Sequence, residues 1–318
     1  MWTSCLLLLV GLALVVLGAN WLVDGASGIA RRLGLSEFVI GLTIVGMGTS
    51  APEMVVSFIG AVQGKADIAI GNVIGSNIFN TLLILGFTAL ILPMGITASN
   101  KKRDIPMNIV ITVLLVLLGL KHSLFGVSSD GLSRLDGGIL LACFILYMWN
   151  CFRHQESLPS EEKDVKDRPV WQALLLIAGG IAGLIIGGRS FVNSATDIAK
   201  ALGVSDKFIA ITILAGGTSM PELATCVAAA IKKKGQLALG NIIGSNVFNI
   251  LLILGGSALI NPLKFTDISS VDLGVLLISA FALLTSCFVG KRDKIDRLDG
   301  AFFLLIWVAY MAWLIIHL

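Results

Sequence analysis

Two short motifs place ionisable chemistry inside strongly apolar runs. GTSAPE at Gly48 to Glu53 and its near copy GTSMPE at Gly217 to Glu222 each hold a proline and a carboxylate where a membrane helix tolerates neither easily. Proline has no N–H for the carbonyl four residues back, and its ring crowds that same turn. Pro52 therefore frees backbone oxygens around Gly46 to Thr49, and Pro221 repeats the construction. Thr49 and Ser50 add hydroxyls, and Glu53 shares a helical face with them; Thr218, Ser219 and Glu222 recur in the same way. A carboxylate at membrane depth is rare, costly and usually functional.

A second duplicated motif supplies more oxygen. GNVIGSNIFN spaces Asn72, Ser76 and Asn80 at i, i+4 and i+8, so that all line one helical face, and GNIIGSNVFN does the same with Asn241, Ser245 and Asn249. Gly71 with Gly75 and Gly240 with Gly244 form GxxxG steps that let another backbone approach. One proline or one GxxxG step alone is ordinary packing; two glutamates embedded in a repeated motif are not. The joint inventory is two carboxylates with amide, hydroxyl and carbonyl oxygens, without thiol or imidazole. That is a site for hard cations, and six to eight oxygens at about 2.3–2.6 Å suit Ca²⁺ better than the smaller Mg²⁺, which keeps its waters. Two glutamates neutralise one divalent ion. When it leaves, sodium on the same oxygens or protons on the carboxylates must replace it, so the electrostatics call for exchange.

The elements that position these groups are membrane helices. Of 318 residues, 56% are hydrophobic and 14% charged, with a mean hydropathy of +0.92. Such a chain has the bilayer as its solvent, and without the dyad alternation of a barrel its spans are helices. Ten spans are expected, near 3–23, 38–62, 66–92, 105–120, 135–152, 171–192, 207–231, 236–260, 271–289 and 299–317. The first lacks a basic segment before it and reads as a retained helix, not a signal peptide. The five cysteines and three histidines are dispersed, with no disulfide framework or zinc spacing. A formal charge of +3 gives no reason to expect nucleic acid.

The chain repeats itself. Gly41 to Gly86 laid on Ala210 to Gly255, at a constant offset of 169 residues, gives 23 identities in 46 positions. RLDG at Arg134 to Gly137 recurs at Arg297 to Gly300, opening the last span of each half. The expected domains are a first repeat, 1–152, a polar linker, 153–170, and a second repeat, 171–318. Five spans per repeat bring the second half in from the opposite side, so the fold is an all-α membrane protein of two inverted five-helix repeats, the architecture of secondary transporters. With the N-terminus outside, 16 of the 23 basic residues fall in cytoplasmic segments, which puts both termini outside and the linker in the cytoplasm. Asn20 with Asp24 and Asn193 with Asp197 read as helix-end capping or gating groups, with ion contact the second reading. Asp136 and Asp299 are expected at the interface beside their arginines, Trp2, Trp21, Trp149 and Trp171 as interfacial belt residues, and Lys232 to Lys234 as a cytoplasmic turn.

The paired GTS.PE and GN.IGSN.FN motifs resemble the two alpha repeats of the cation/calcium exchanger superfamily, and essentially the whole chain resembles its prokaryotic sodium/calcium antiporters. The resemblance implies a secondary active antiporter in the cell (inner) membrane, exchanging Ca²⁺ for Na⁺ by alternating access, with the first and sixth helices sliding across the other eight. It implies a diamond of ion sites at midmembrane with Glu53 and Glu222 as central ligands. Thr49, Ser50, Ser76 and Asn80 would serve one half and Thr218, Ser219, Ser245 and Asn249 the other, with backbone oxygens from Gly46 and Ala215. Ca²⁺ and Na⁺ are then substrates bound within surrounding lipid, and neither a cofactor nor an obligate protein partner is expected. With Asn at both 80 and 249 the site carries a formal charge of −2, which disfavours potassium co-transport.

A Ca²⁺/H⁺ antiporter is the alternative, since Glu53 and Glu222 are the obvious titratable groups. A cation channel is less favoured by the repeat architecture. No Ser–His or paired Asp constellation supports an enzyme.

Overall fold

A computed structural model describes residues 2–126, 130–153, 169–203, 215–265, 268–288 and 293–317. Its longer helices are α1 (Trp2–Leu33), α2 (Glu37–Thr49), α3 (Ala51–Val62), α4 (Ala66–Ile91), α5 (Ile105–Gly119), α6 (Arg134–Arg153), α7 (Val170–Ala201), α8 (Met220–Ile231), α9 (Gly235–Ile260), α10 (Ser270–Thr285) and α11 (Arg297–His317). Among the described residues, six are long and apolar enough to cross a bilayer, or seven if the bent pair α2 and α3 is one span. Helices α8 and α10 are shorter apolar segments. The expected span 207–231 is seen as Ala215–Gly217 and α8, its first part lying outside the described residues.

Helix α1 runs ten residues beyond its expected end, because Gly25, Ala26, Ile29 and Ala30 are buried and Arg31 and Arg32 complement the dipole of its last turn. Trp21, expected near a span end, consequently lies well inside the helix. Helices α1 and α7 lie antiparallel and touch backbone to backbone. A Cβ on Gly11 would meet the Gly187 carbonyl at 2.8 Å, one on Gly18 the Gly180 carbonyl at 2.8 Å, and one on Gly25 the Ala173 carbonyl at 2.7 Å. The seven-residue spacing keeps these small residues on one seam.

The core is built on the motif helices. In α9 94% of the apolar window is buried and in α4 67%, against 11% in α11, so the motif helices are central and α11 is peripheral. Each central helix passes from α to π geometry, at Phe79–Ile84 and Asn249–Leu254. Gly240 and Gly244 allow the expected close approach: added Cβ atoms would lie 2.2 Å from the carbonyls of Phe38 and Leu42. Among the described residues nothing comes within 4 Å of a Cβ on Gly71 or Gly75; positions 207 and 211, which correspond to Phe38 and Leu42 at the 169-residue offset, lie outside those residues.

Two antiparallel strand pairs close the ends of the bundle: β1 (Met94–Gly95) with β4 (Lys294–Ile295), and β2 (Gly131–Leu132) with β3 (Leu263–Lys264). The RLDG aspartates open their helices as expected, but their partners are not the neighbouring arginines. Asp136 accepts from the amide and hydroxyl of Ser133, both at 2.7 Å, and pairs with Lys121; Asp299 accepts from the Asp296 amide at 2.9 Å. An acid at the third helical position reaches back to a free N-terminal amide, which is a capping box.

Candidate functional site

The break between α2 and α3 falls at Ser50 (φ −82°, ψ 7°), with Pro52 in the first turn of α3 and a 49° bend. Ser219 takes the same conformation ahead of Pro221 (φ −86°, ψ 7°). These breaks deliver the two glutamates to the middle of the protein, where both side chains are 0% exposed.

Four hydroxyls then pair with the two carboxylates. Ser50 Oγ donates to Glu222 Oε1 at 2.8 Å, and Ser219 Oγ donates to Glu53 Oε1 at 3.1 Å. Ser245 reaches Glu222 Oε1 at 3.4 Å and Ser76 reaches Glu53 Oε1 at 3.5 Å. Each bond maps onto its mate under the 169-residue offset. Six predicted residues thus form one cluster. Neither carboxylate is ion-paired among the described residues, and both Oε2 atoms are buried without a hydrogen-bond donor.

The remaining predicted residues surround this cluster. Thr49 Oγ1 donates to Asn241 Oδ1 at 3.1 Å. The Gly46 carbonyl, expected to be freed, still accepts the Ser50 amide at 3.1 Å and lies 3.4 Å from the Ser245 hydroxyl. Pro52 removes the donor to Gly48, so the turn holding Gly46 keeps its own bond. Ala215 opens the described Ala215–Gly217 turn at the matching position. Asn72 donates to the Glu53 carbonyl at 3.1 Å and to Ser57 Oγ at 3.0 Å, and Asn241 donates to Cys226 Sγ at 3.3 Å. These two asparagines support the motif helices. Asn80 and Asn249 are fully buried, and each keeps its side-chain Oδ1 without a donor among the described residues.

Sequence reasoning passed over Asn77, Asn246 and Thr81. Asn80 donates to Asn246 Oδ1 at 3.2 Å and Asn249 to Asn77 Oδ1 at 2.9 Å; Asn77 donates to the Asn246 carbonyl at 3.1 Å and Asn246 to Thr81 Oγ1 at 2.8 Å. The duplicated SN dipeptide was the available signal. An i, i+4 face excludes the residue beside serine, and a 3.6-residue period does not register the π turns that follow.

No group of three or more His, Cys, Asp or Glu that could hold a metal occurs among the described residues. The chemistry here is oxygen: orphaned acceptors on Glu53, Glu222, Asn80 and Asn249, with hydroxyls beside the carboxylates. A cavity of about 210 Å³, lined by Pro52, Leu184, Arg189, Asn193, Thr218 and Pro221, lies between α7 and both prolines. Of the duplicated polar pairs, Asn193 lines that cavity, whereas Asp24 bonds to Lys232 Nζ at 2.7 Å. Lys232 also donates to the Asn20 carbonyl at 3.1 Å, and Lys234 pairs with Glu37 at 3.0 Å, so the basic turn is tied to α1 and α2.

The family model for sodium/calcium exchanger protein matches residues 3–153 and 172–316. Inner membrane protein YrbG of Escherichia coli (strain K12) is 35% identical, over 97% of this chain and 96% of that one. Sodium/calcium exchanger MaX1 of Methanosarcina acetivorans is 33% identical over 96% and 97%. The solved structure of the sodium-calcium exchanger NCX_Mj superposes with a TM-score of 0.83 at 34% identity, covering 98% of both chains. An oxygen-lined pair of buried glutamates, delivered by two copies of one motif, therefore sits in a chain that belongs to the sodium/calcium exchanger family.

Proposed function

We propose that this protein exchanges Ca²⁺ for Na⁺ across the cell membrane by alternating access, with the ions held between Glu53 and Glu222. The observation that carries this reading is a set of four buried acceptor oxygens that find no donor among the described residues: Oε2 of Glu53 and Glu222, and Oδ1 of Asn80 and Asn249. An orphaned buried acceptor costs about 1–3 kcal/mol, more if charged, so such a set calls for a positive ligand. Thr49, Ser50, Thr218, Ser219, Ser76, Ser245 and the carbonyls of Gly46 and Ala215 complete the proposed ligand set. The relatives named as sodium/calcium exchangers supply the identity of the two ions.

The ten-span reading in two inverted repeats, 1–152 and 171–318 around the linker 153–170, is supported by how contacts map between halves. The serine–glutamate bonds exchange under the 169-residue offset, and β1 moves onto β3 under the same offset, while their partners β2 and β4 correspond at an offset of 163. An inverted architecture provides two equivalent access routes to one site.

The test is radiocalcium uptake into proteoliposomes loaded with Na⁺, K⁺ or choline at equal pH on both sides. Uptake that requires internal Na⁺, and is abolished by Glu53→Gln or Glu222→Gln in folded protein, is expected. Uptake driven only by an imposed pH gradient would assign proton coupling, and non-saturating uptake from all three would assign a channel. Normal transport by either glutamate variant would refute the site.

A further inference from the structure

The Asn77 side of the amide network beside the glutamates has a fixed direction. A backbone carbonyl only accepts, so the Asn77 group 3.1 Å from the Asn246 carbonyl is its NH₂. That leaves Asn77 Oδ1 facing Asn249, which must present its own NH₂, at 2.9 Å. Asn249 Oδ1 then points away from the network, buried and without a donor. Each amide orientation thus follows from a group with a single possible role, the Asn246 carbonyl.

On the other side, Asn80 donates to Asn246 Oδ1 at 3.2 Å, and the Asn246 NH₂ goes to Thr81 Oγ1 at 2.8 Å. Asn80 Oδ1 is likewise buried and orphaned. Asn77, Asn80, Asn246, Asn249 and Thr81 are all at most 3% exposed, so water does not compete for these bonds. The two sides differ at one point: Thr81 can donate or accept, and its counterpart under the 169-residue offset is Ile250.

We propose that Asn77 and Asn246 are positioning residues that set the cation affinity of the site: they turn the amide oxygens of Asn249 and Asn80 toward the ions, and Asn77 holds position 249 neutral. The inference rests on the reading of Asn80 and Asn249 as ion ligands. Neutrality at 249 follows because Asn77 offers its acceptor oxygen to its partner. A carboxylate at 249 would set oxygen against Asn77 Oδ1, and Asn77 cannot turn over without losing the Asn246 carbonyl. The glutamates then carry the whole negative charge of the site.

Interhelical amides also tie membrane helices together, so the test must separate orientation from adhesion. A serine at 77 removes the amide oxygen that now faces Asn249 and leaves only a hydroxyl, one bond nearer the backbone, which can donate or accept. The measurement is the apparent KM for Ca²⁺ in sodium-loaded proteoliposomes, with thermal unfolding of the same preparations. Asn77→Ser and Asn77→Ala are both expected to raise KM about tenfold, as the loss of one amide orientation. Asn249→Asp in the Asn77→Ala background is expected to recover Ca²⁺ affinity, because a carboxylate presents oxygen whichever way it turns, and to impair the protein when Asn77 is intact. If Asn77→Ser has wild-type KM, or if Asn77→Ala lowers only the melting temperature, the residue is a helix tie and the proposal falls. Asn249→Ala, measured alongside, isolates the underlying reading: a wild-type KM there refutes Asn249 as a ligand whatever the Asn77 variants do.

Discussion

The hydroxyl of Ser50 donates to Glu222 at 2.8 Å, and that of Ser219 returns the same contact to Glu53 at 3.1 Å. Each repeat's broken turn thus serves the other repeat's carboxylate, and neither half holds a complete site by itself. A hydrogen bond to a charged group contributes about 1.5–3 kcal/mol. Ser50→Ala and Ser219→Ala are therefore expected to raise the KM for Ca²⁺ by one to two orders of magnitude, and by similar factors because the contacts are equivalent. Initial rates of radiocalcium uptake against external Ca²⁺ check this; unchanged KM in both variants would remove the crossed serines from the site.

The α1–α7 seam leaves no room for a methyl group. A Cβ on Gly18 would lie 2.8 Å from the Gly180 carbonyl, and one on Gly180 would lie 2.7 Å from the Leu22 amide. Backbone atoms yield little, and overpacking costs about 1–3 kcal/mol. Gly18→Ala and Gly180→Ala should each lower the melting temperature in detergent, while Gly138→Ala, where nothing lies within 4 Å, should leave it unchanged or raise it. Equal melting temperatures for all three would mean that the helices separate more readily than their contacts indicate.

Much of this site is legible in the sequence because its signals are chemical. Glu53 and Glu222 cannot sit in an apolar run without a reason, Pro52 and Pro221 announce a break, and the offset of 169 residues survives as identical side chains. Apolar length likewise makes the six or seven spanning helices of the described residues readable. What the sequence hides is geometry that departs from the α-helical period: the π turns at Phe79–Ile84 and Asn249–Leu254, and with them the amide network of Asn77 and Asn246. Partner choice is also hidden. Asp136 takes Lys121 and Ser133 over adjacent Arg134, because a helix-opening acid reaches back to free amides before it reaches along the chain.

The ion pair of Asp24 with Lys232, at 2.7 Å, joins α1 to the end of α8. Its side chains are 37% and 25% exposed, so solvent screens the pair and its contribution is at most about 1 kcal/mol. If α1 slides against the motif helices during transport, this contact breaks in each cycle. Lys232→Met should then leave the KM for Ca²⁺ unaltered and change the maximal exchange rate by no more than about fivefold, the factor equivalent to that energy. A change in KM larger than the change in rate would place Asp24 among the groups that bind the ion.

Contacts between loops show which segments share a face. Glu37 pairs with Lys234, and β1 pairs with β4, so the segments following α1, α4, α8 and α10 gather at one end; β2 with β3, and Asn261 with the Ala61 carbonyl at 3.3 Å, gather those following α3, α5 and α9 at the other. The first end carries Arg31, Arg32, Lys101 to Arg103, Lys232 to Lys234 and Lys294, the excess that marks a cytoplasmic face. In a Cys5→Ser background, which removes the exposed native thiol, Lys264→Cys should react with a membrane-impermeant maleimide added to intact cells. Ser157→Cys, in the linker, should react only after the membrane is opened. The reverse pattern would invert the protein while leaving every loop pairing intact, because those contacts fix which segments share a face, and only the basic residues say which face is the cytoplasmic one.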